Sequence, residues 1–113
     1  MRSKLCSLSK NEDFKSLLNG KKITTKYLII FFKKLSNKNN KKLNISFVTR
    51  KKIGNAVKRN RIKRILRNIM NEALKKISLN LNYSYLIIAK SSILDDNYTI
   101  IKQVLFNNLK KIK

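Results

Sequence analysis

The 113-residue sequence has no histidine, proline or tryptophan, and it contains only two glycines and one cysteine. Without histidine, the chain lacks the commonest general base and the commonest metal ligand of enzymes. The single cysteine, Cys6, excludes an internal disulfide and a cysteine-rich zinc site, and it agrees with a reducing compartment. No apolar run approaches the roughly 18 residues of a membrane span, and the first ten residues lack the apolar stretch of a signal peptide. We therefore expect a cytoplasmic protein with no membrane partner.

Acidic side chains are also scarce, with five Asp and Glu against 28 Lys and Arg, which gives a formal charge of +23. Glu12 with Asp13, and Asp95 with Asp96, fall where helices are predicted to start, a position that favours carboxylates. Glu72 stands alone in a basic helix. The sequence therefore predicts no catalytic residue and no metal site in the chain.

The positive charge favours a polyanionic partner, because self-repulsion on this scale opposes compaction and a polyanion relieves it. Hydrophobic residues make up 42% of the chain, which is enough for a folded domain that we expect to span residues 1–113. Lysine is abundant throughout, but five of the six arginines lie between Arg50 and Arg67. Guanidinium groups bind phosphate bidentately, so this cluster predicts a nucleic-acid surface.

The first half of the chain predicts one helix and then strands. Ser9 to Glu12 has the spacing of a capping box, and the apolar spacing that follows indicates a helix over about 10–19 before Gly20. Residues 23–32 are β-branched and aromatic, which predicts a strand, broken near Thr25. A polar turn at 36–42 leads to an alternating strand at 43–49, expected as the hairpin partner of the first.

The second half predicts a long helix, a strand and a final helix. Asn55 can cap the long helix, whose apolar positions recur from Ile62 to Ile77 at helical spacing. The opposite face of this helix carries Asn60, Arg64, Arg67, Asn68 and Asn71. Residues 83–89 predict a central strand covered on both faces. The last helix is predicted to begin near Asp95-Asp96-Asn97, with Ile101, Val104, Leu105, Leu109 and Ile112 on one side.

The segment 51–67, KKIGNAVKRNRIKRILR, closely resembles the signature of the bacterial ribonuclease P protein subunit. The resemblance extends to residues 8–14 with the following Gly20, and to the strand at 85–89 before the final helix. It covers nearly the whole chain. It implies an α+β fold, a single small α-β-β-β-α-β-α sandwich that is ribosomal-protein-S5-domain-2-like. Its long helix joins two parallel neighbouring strands by a left-handed crossover, although right-handed crossovers are the general rule.

The resemblance also implies the function of an RNA-binding subunit of ribonuclease P, in which a catalytic RNA and the protein, about one to one, remove the 5′ leader of precursor tRNA. The catalytic groups of this endoribonuclease lie in the RNA, and Mg²⁺ is expected to act through the RNA rather than through a cofactor of the protein. The protein alone is expected to be inactive.

Two groups of site residues follow from the resemblance. The RNA-binding positions are Lys51, Lys52, Asn55, Lys58, Arg59, Asn60, Arg61, Lys63, Arg64 and Arg67. Phe14 and Phe31 are the candidates for stacking on the single-stranded leader, in a cleft between the first helix and the sheet. The chain departs from many members in having Leu18 where they carry a second aromatic.

Other functions stay open at this point. A ribosomal protein or a general RNA chaperone would have the same charge, and it would show no preference for precursor over mature tRNA. A nuclease that acts without RNA would need a catalytic constellation, which the sequence does not offer. A basic helix on anionic lipid is disfavoured by the absence of tryptophan.

Overall fold

The computed structural model describes residues 5–8, 11–35 and 42–112, where it shows five strands and three α-helices. The elements in chain order are β1 Leu5–Ser7, α1 Asn11–Leu18, β2 Lys21–Thr24, β3 Leu28–Lys34, β4 Leu43–Val48, α2 Ala56–Lys76, β5 Tyr83–Ala89 and α3 Tyr98–Leu109. Short 3-10 turns at Lys51–Ile53 and Ser91–Leu94 precede α2 and α3. The mixed α+β class is therefore confirmed.

The strands form one sheet in the order β1-β4-β5-β3-β2. β3 is antiparallel to both β2 and β5, whereas β4 is parallel to both β1 and β5. α2 connects the parallel neighbours β4 and β5, as the resemblance implies. The left hand of this crossover stays a prediction.

Two expectations about the strands are wrong. β4 is not the hairpin partner of β3, because β5 lies between them and pairs with each. Consecutive strands are often neighbours, but β5 is apolar on both faces and is stable only in the middle of the sheet. The sequence did not predict β1, because a strand of three residues is too short to show an alternating pattern. The break near Thr25 is confirmed, and it separates β2 from β3.

Both faces of the sheet are covered and carry buried clusters. The alternation of side chains along each strand decides which of the helices covers a given residue. Leu28, Ile30 and Phe32 of β3 join the main core with α2 and α3. The intervening Phe31 belongs to a smaller cluster under α1 with Leu8, Leu17, Leu86 and Ile88. β5 alternates in the same way, which explains why residues 83–89 have the pattern of a strand buried on both sides.

Helix boundaries follow local chemistry. The Asn55 and Asn97 side chains accept hydrogen bonds from the Lys58 and Ile100 backbone N–H groups, 3.0 and 3.1 Å away, and so cap α2 and α3. The final helix therefore starts at Tyr98, with Asn97 of the predicted start region as its N-cap. α1 ends before Gly20, where a Cβ would lie 2.8 Å from the Phe32 carbonyl oxygen. Only glycine allows this close approach of the two backbones.

Parts of two sequence predictions lie outside the described residues. They are the capping-box residues Ser9 and Lys10 and the polar turn over 36–41. Over the described ranges, no helix is both long enough and apolar enough to cross a membrane.

Candidate nucleic-acid interface

α2 divides into a buried face and a charged face. Ile62, Leu66, Ile69, Met70 and Ala73 are buried against the sheet and α3. Asn60, Arg61, Arg64, Arg67 and Asn68 are exposed. Four of the five residues of the predicted polar face, Asn60, Arg64, Arg67 and Asn68, are therefore exposed, whereas the fifth, Asn71, is half-buried.

The cationic surface includes more than α2. We define it as the ten RNA-binding positions predicted from the sequence, of which eight are exposed and two, Arg59 and Lys63, are half-buried. Lys51 and Lys52 belong to the 3-10 turn before α2. Gly54, with a φ of 157°, joins this turn to the helix, a conformation that suits glycine. The structure therefore places all ten positions in the turn before α2, at its N-cap and in the N-terminal half of the helix.

Asn55 has a structural task at this surface. Its side-chain oxygen accepts a hydrogen bond from the Lys58 N–H group and caps α2. This role explains the asparagine without RNA, so contact between Asn55 and RNA stays a prediction.

The arginines of the cationic surface carry uncompensated charge. Among the described residues, ion pairs join lysines to Glu72 or Asp96, and no arginine of α2 takes part in one. Arg59 Nε is buried and has no hydrogen-bond partner in the described part of the chain. Unpaired guanidinium groups on a rigid helix are well suited to bind phosphate.

α1 covers only part of the sheet face that carries the smaller apolar cluster, and we identify the open part beside α1 with the predicted cleft between the first helix and the sheet. α1 packs over β3 and β5, so the half-buried Ser46 and Val48 of β4 extend beyond it. Phe14 is half-buried against the cluster, and Leu18, one turn later, is 50% exposed. Phe31 lies on the predicted sheet face, but it is only 9% exposed, which leaves little ring surface for a base.

A cavity of about 370 Å³ opens at the carboxyl ends of β4 and β5. Its lining combines the start of the signature with the segment after β5: Ile29, Arg50, Lys52, Ile53, Ile88, Ala89, Lys90, Ser91 and Ser92. Three of these residues are cations and none is acidic. We call this site the basic cavity.

Sequence reasoning missed Lys90, Ser91 and Ser92 as site residues. They are distant from Arg50 in the chain, and only the parallel pairing of β4 with β5 brings the two strand ends together. The available signal was the end of the predicted central strand at Ala89, since residues that follow parallel strands share one edge of a sheet.

The carboxylates serve as structural contacts. Glu72 on α2 accepts a hydrogen bond from the Tyr98 hydroxyl and pairs with Lys102. The Lys102 ammonium, more than any other group, holds the pKa of Glu72 below its usual value. Asp96 accepts a hydrogen bond from the Tyr27 hydroxyl, and this bond raises the pKa of Tyr27. Glu12 and Asp13 lie in the first turn of α1, as predicted.

Known proteins are similar to this chain in sequence. The profile of the family Ribonuclease P matches residues 3–113. A ribonuclease P protein component of Carboxydothermus hydrogenoformans is 36% identical over 110 residues, covering 94% of this chain and 90% of that protein. One from Fusobacterium nucleatum is 42% identical over 88 residues, covering 74% and 72%. These relatives decide against the ribosomal-protein alternative.

Solved structures show the same fold. The RNase P protein of Thermotoga maritima matches with a TM-score of 0.79 at 22% identity, covering 95% of this chain and 97% of that one. The RNase P protein of Staphylococcus aureus matches with a TM-score of 0.77 at 23% identity, covering 94% and 93%. Together with the sequence relatives, these likenesses lead to one conclusion. The chain belongs to the ribonuclease P family, as a protein component of the endoribonuclease that takes part in tRNA processing.

Proposed function

We propose that the chain uses its two basic sites for two different RNAs. The cationic surface of α2 binds the catalytic RNA subunit, and the cleft with the basic cavity binds the 5′ leader of precursor tRNA. Both contacts would hold the substrate close to the RNA that carries the catalytic groups, so that the leader is removed endonucleolytically. One protein would serve one RNA subunit.

The observation that supports this proposal is the exposed, unpaired arginine face of α2. A helix that is buried on one side and cationic on the other can dock on a folded RNA as a rigid body, and each bound phosphate releases counterions. Arg61, Arg64 and Arg67 offer planar donors for such phosphates. This surface requires no rearrangement of the fold.

The cleft and the basic cavity suit a single-stranded leader for a different reason. A single strand needs stacking surfaces and cations along its path, without selection of its bases. Phe14 and Leu18 supply apolar surface at the cleft, whereas Arg50 and Lys90 supply charge at the cavity. Lys52 also lines the cavity and so belongs to both basic sites. Because Phe31 is nearly buried, we assign stacking to Phe14.

We propose that the metal ions of the reaction are bound by the RNA. Mg²⁺ bound by the catalytic RNA would activate the attacking water and stabilise the leaving oxygen, while the lysines and arginines reduce repulsion between the two RNAs. The reaction would take place in the cytoplasm.

The test is reconstitution with the cognate catalytic RNA at low magnesium, followed by leader release from precursor tRNA. We expect the protein to accelerate cleavage over RNA alone, and we expect protein without RNA to release no leader. If the protein gives no stimulation, the proposal is wrong. Cleavage by protein alone would contradict the assignment of the catalytic groups to the RNA.

A further inference from the structure

Residues 90–92 form one wall of the basic cavity, and the turn between β2 and β3 holds this wall in place. Three backbone carbonyl groups of the turn accept hydrogen bonds from it. The Lys90 N–H group donates to the Tyr27 carbonyl over 2.8 Å, and Lys90 Nζ donates to the Thr25 carbonyl over 2.7 Å. The Ser92 hydroxyl donates to the Lys26 carbonyl. The position of the wall therefore depends on the position of the turn.

Tyr27 anchors this turn. Its ring is 5% exposed in the main core, and its hydroxyl donates a hydrogen bond to the Asp96 carboxylate. Lys26 Nζ lies 3.7 Å from the same carboxylate. Because Asp96 follows the wall closely in the chain, the segment from Lys90 to Asp96 is tied to the turn at both ends.

The Lys90 ammonium group is held by a backbone carbonyl, which is uncharged, rather than by a carboxylate. Lys90 lines the cavity together with Arg50 and Lys52, and like charges at close range repel. A carboxylate partner would hold the lysine but cancel its charge. The Thr25 carbonyl holds it without cancelling the charge, while the nearby acid, Asp96, contacts Tyr27 and Lys26.

We propose that Tyr27 and Asp96 are positioning residues for RNA binding, which act through Lys90. Their hydrogen bond fixes the turn, and the turn fixes Lys90, which lines the cavity together with Arg50. The two cations then bind a phosphate of the precursor tRNA. Neither Tyr27 nor Asp96 touches the RNA. This inference rests on the proposed function of the basic cavity.

The first experiment compares single variants in the holoenzyme, reconstituted from the full chain and the catalytic RNA. Tyr27→Phe removes one hydroxyl, and we expect the KM for a leader-bearing precursor to rise about fivefold, the effect of one lost hydrogen bond, with kcat little changed. Asp96→Asn retains an acceptor oxygen, so it should cause a smaller rise. An unchanged KM in Tyr27→Phe overturns the positioning role.

A matched control is available in the same chain. Tyr98 also donates its hydroxyl to a carboxylate, that of Glu72, but at the contact between α2 and α3 rather than at the cavity. Tyr98→Phe removes the same group, so it controls for a general loss of stability. We expect no rise in KM. An equal rise in both variants would show a merely structural effect and would overturn the inference.

The decisive measurement is a double-mutant cycle. Lys90→Ala alone should raise the KM, and adding Tyr27→Phe to it should cause no further rise, because the positioned group is already absent. Additive losses would mean that Tyr27 acts independently of Lys90, which contradicts the proposal. If Tyr27→Phe does not fold, as judged by thermal unfolding, Asp96→Ala completes the same cycle.

The outcomes also separate this inference from the function on which it rests. If Lys90→Ala leaves the KM unchanged, the basic cavity does not bind precursor tRNA and the proposed function of this site is wrong. If Lys90→Ala raises the KM and Tyr27→Phe does not, the site stands and only the positioning role fails.

Discussion

The Tyr98 hydroxyl of α3 donates a hydrogen bond to the Glu72 carboxylate of α2 over 3.1 Å. Lys102 of α3 lies 3.2 Å from the other oxygen of the same carboxylate, and Lys76 lies 3.9 Å from it. One acidic residue thus joins the two helices that cover the main core. Because these contacts use the side of α2 that faces α3, the arginine face remains open for RNA.

The contact between Glu72 and Lys102 predicts that part of the free energy of unfolding is lost at acidic pH. Lys102 lowers the pKa of Glu72 in the folded protein below its ordinary value of 4.5. A lowered folded pKa means that the stabilisation is complete above about pH 4.5 and is lost as the pH falls through the folded pKa. Glu72→Gln should therefore lower Tm at neutral pH and reduce this acid dependence. Thermal unfolding between neutral and acidic pH measures it, and parallel pH curves for the two proteins would contradict it.

Arg64→Ala should weaken assembly with the catalytic RNA and make assembly less sensitive to salt. If the guanidinium group neutralises one phosphate, the slope of log K against log salt should fall by about 0.7–0.9. Lys111→Ala is the control, because it removes the same charge from an exposed position after α3. Binding measured over a series of salt concentrations checks both. An unchanged slope in Arg64→Ala would remove this residue from the interface.

Phe14→Ala should weaken binding of precursor tRNA without weakening assembly. The loss of base stacking corresponds to about 1–3 kcal/mol, and a substrate without a leader should show no loss. Phe14→Leu separates stacking from packing, because it keeps apolar contact with the cluster under α1 but removes the aromatic ring. Equal losses in the binding of precursor and of catalytic RNA would refute the division between the two sites.

Gly20→Ala should destabilise the fold by about 1–3 kcal/mol, as overpacked positions do. The added Cβ would lie 2.8 Å from the Phe32 carbonyl oxygen and 2.9 Å from Lys33 Cβ, so α1 and β2 would have to move apart from β3. Asn19→Ala, at the neighbouring exposed position, is the control. Denaturant unfolding of both variants checks the difference, and equal stabilities would show that the backbone relaxes freely.

Local patterns were sufficient for most of the secondary structure. The period of Ile62, Leu66 and Ile69 predicts α2 and its buried face, since side chains three and four apart share one side of a helix. Asn55 predicts where this helix begins. The run from Asp95 to Asn97 predicts the start of α3, and the structure shows that Asn97 is the residue that caps it.

Long-range pairing was not predictable in the same way. β4 pairs with β1 and β5 rather than with β3, and this depends on which strand tolerates burial on both faces within the whole sheet. The role of Phe31 depends likewise on α1, which covers it. A side chain can lie on the sheet face that the alternation predicts and still be either exposed or buried. Which of the two applies depends on whether a helix from a distant part of the chain covers it.

The sequence by itself determined a basic α+β protein with an arginine face on one long helix, because charge and helical period are properties of neighbouring residues. Only the tertiary structure decided that Lys90 joins Arg50 at one cavity and that Tyr27 meets Asp96. These residues are distant in the chain, and the strand order of the sheet alone brings them together.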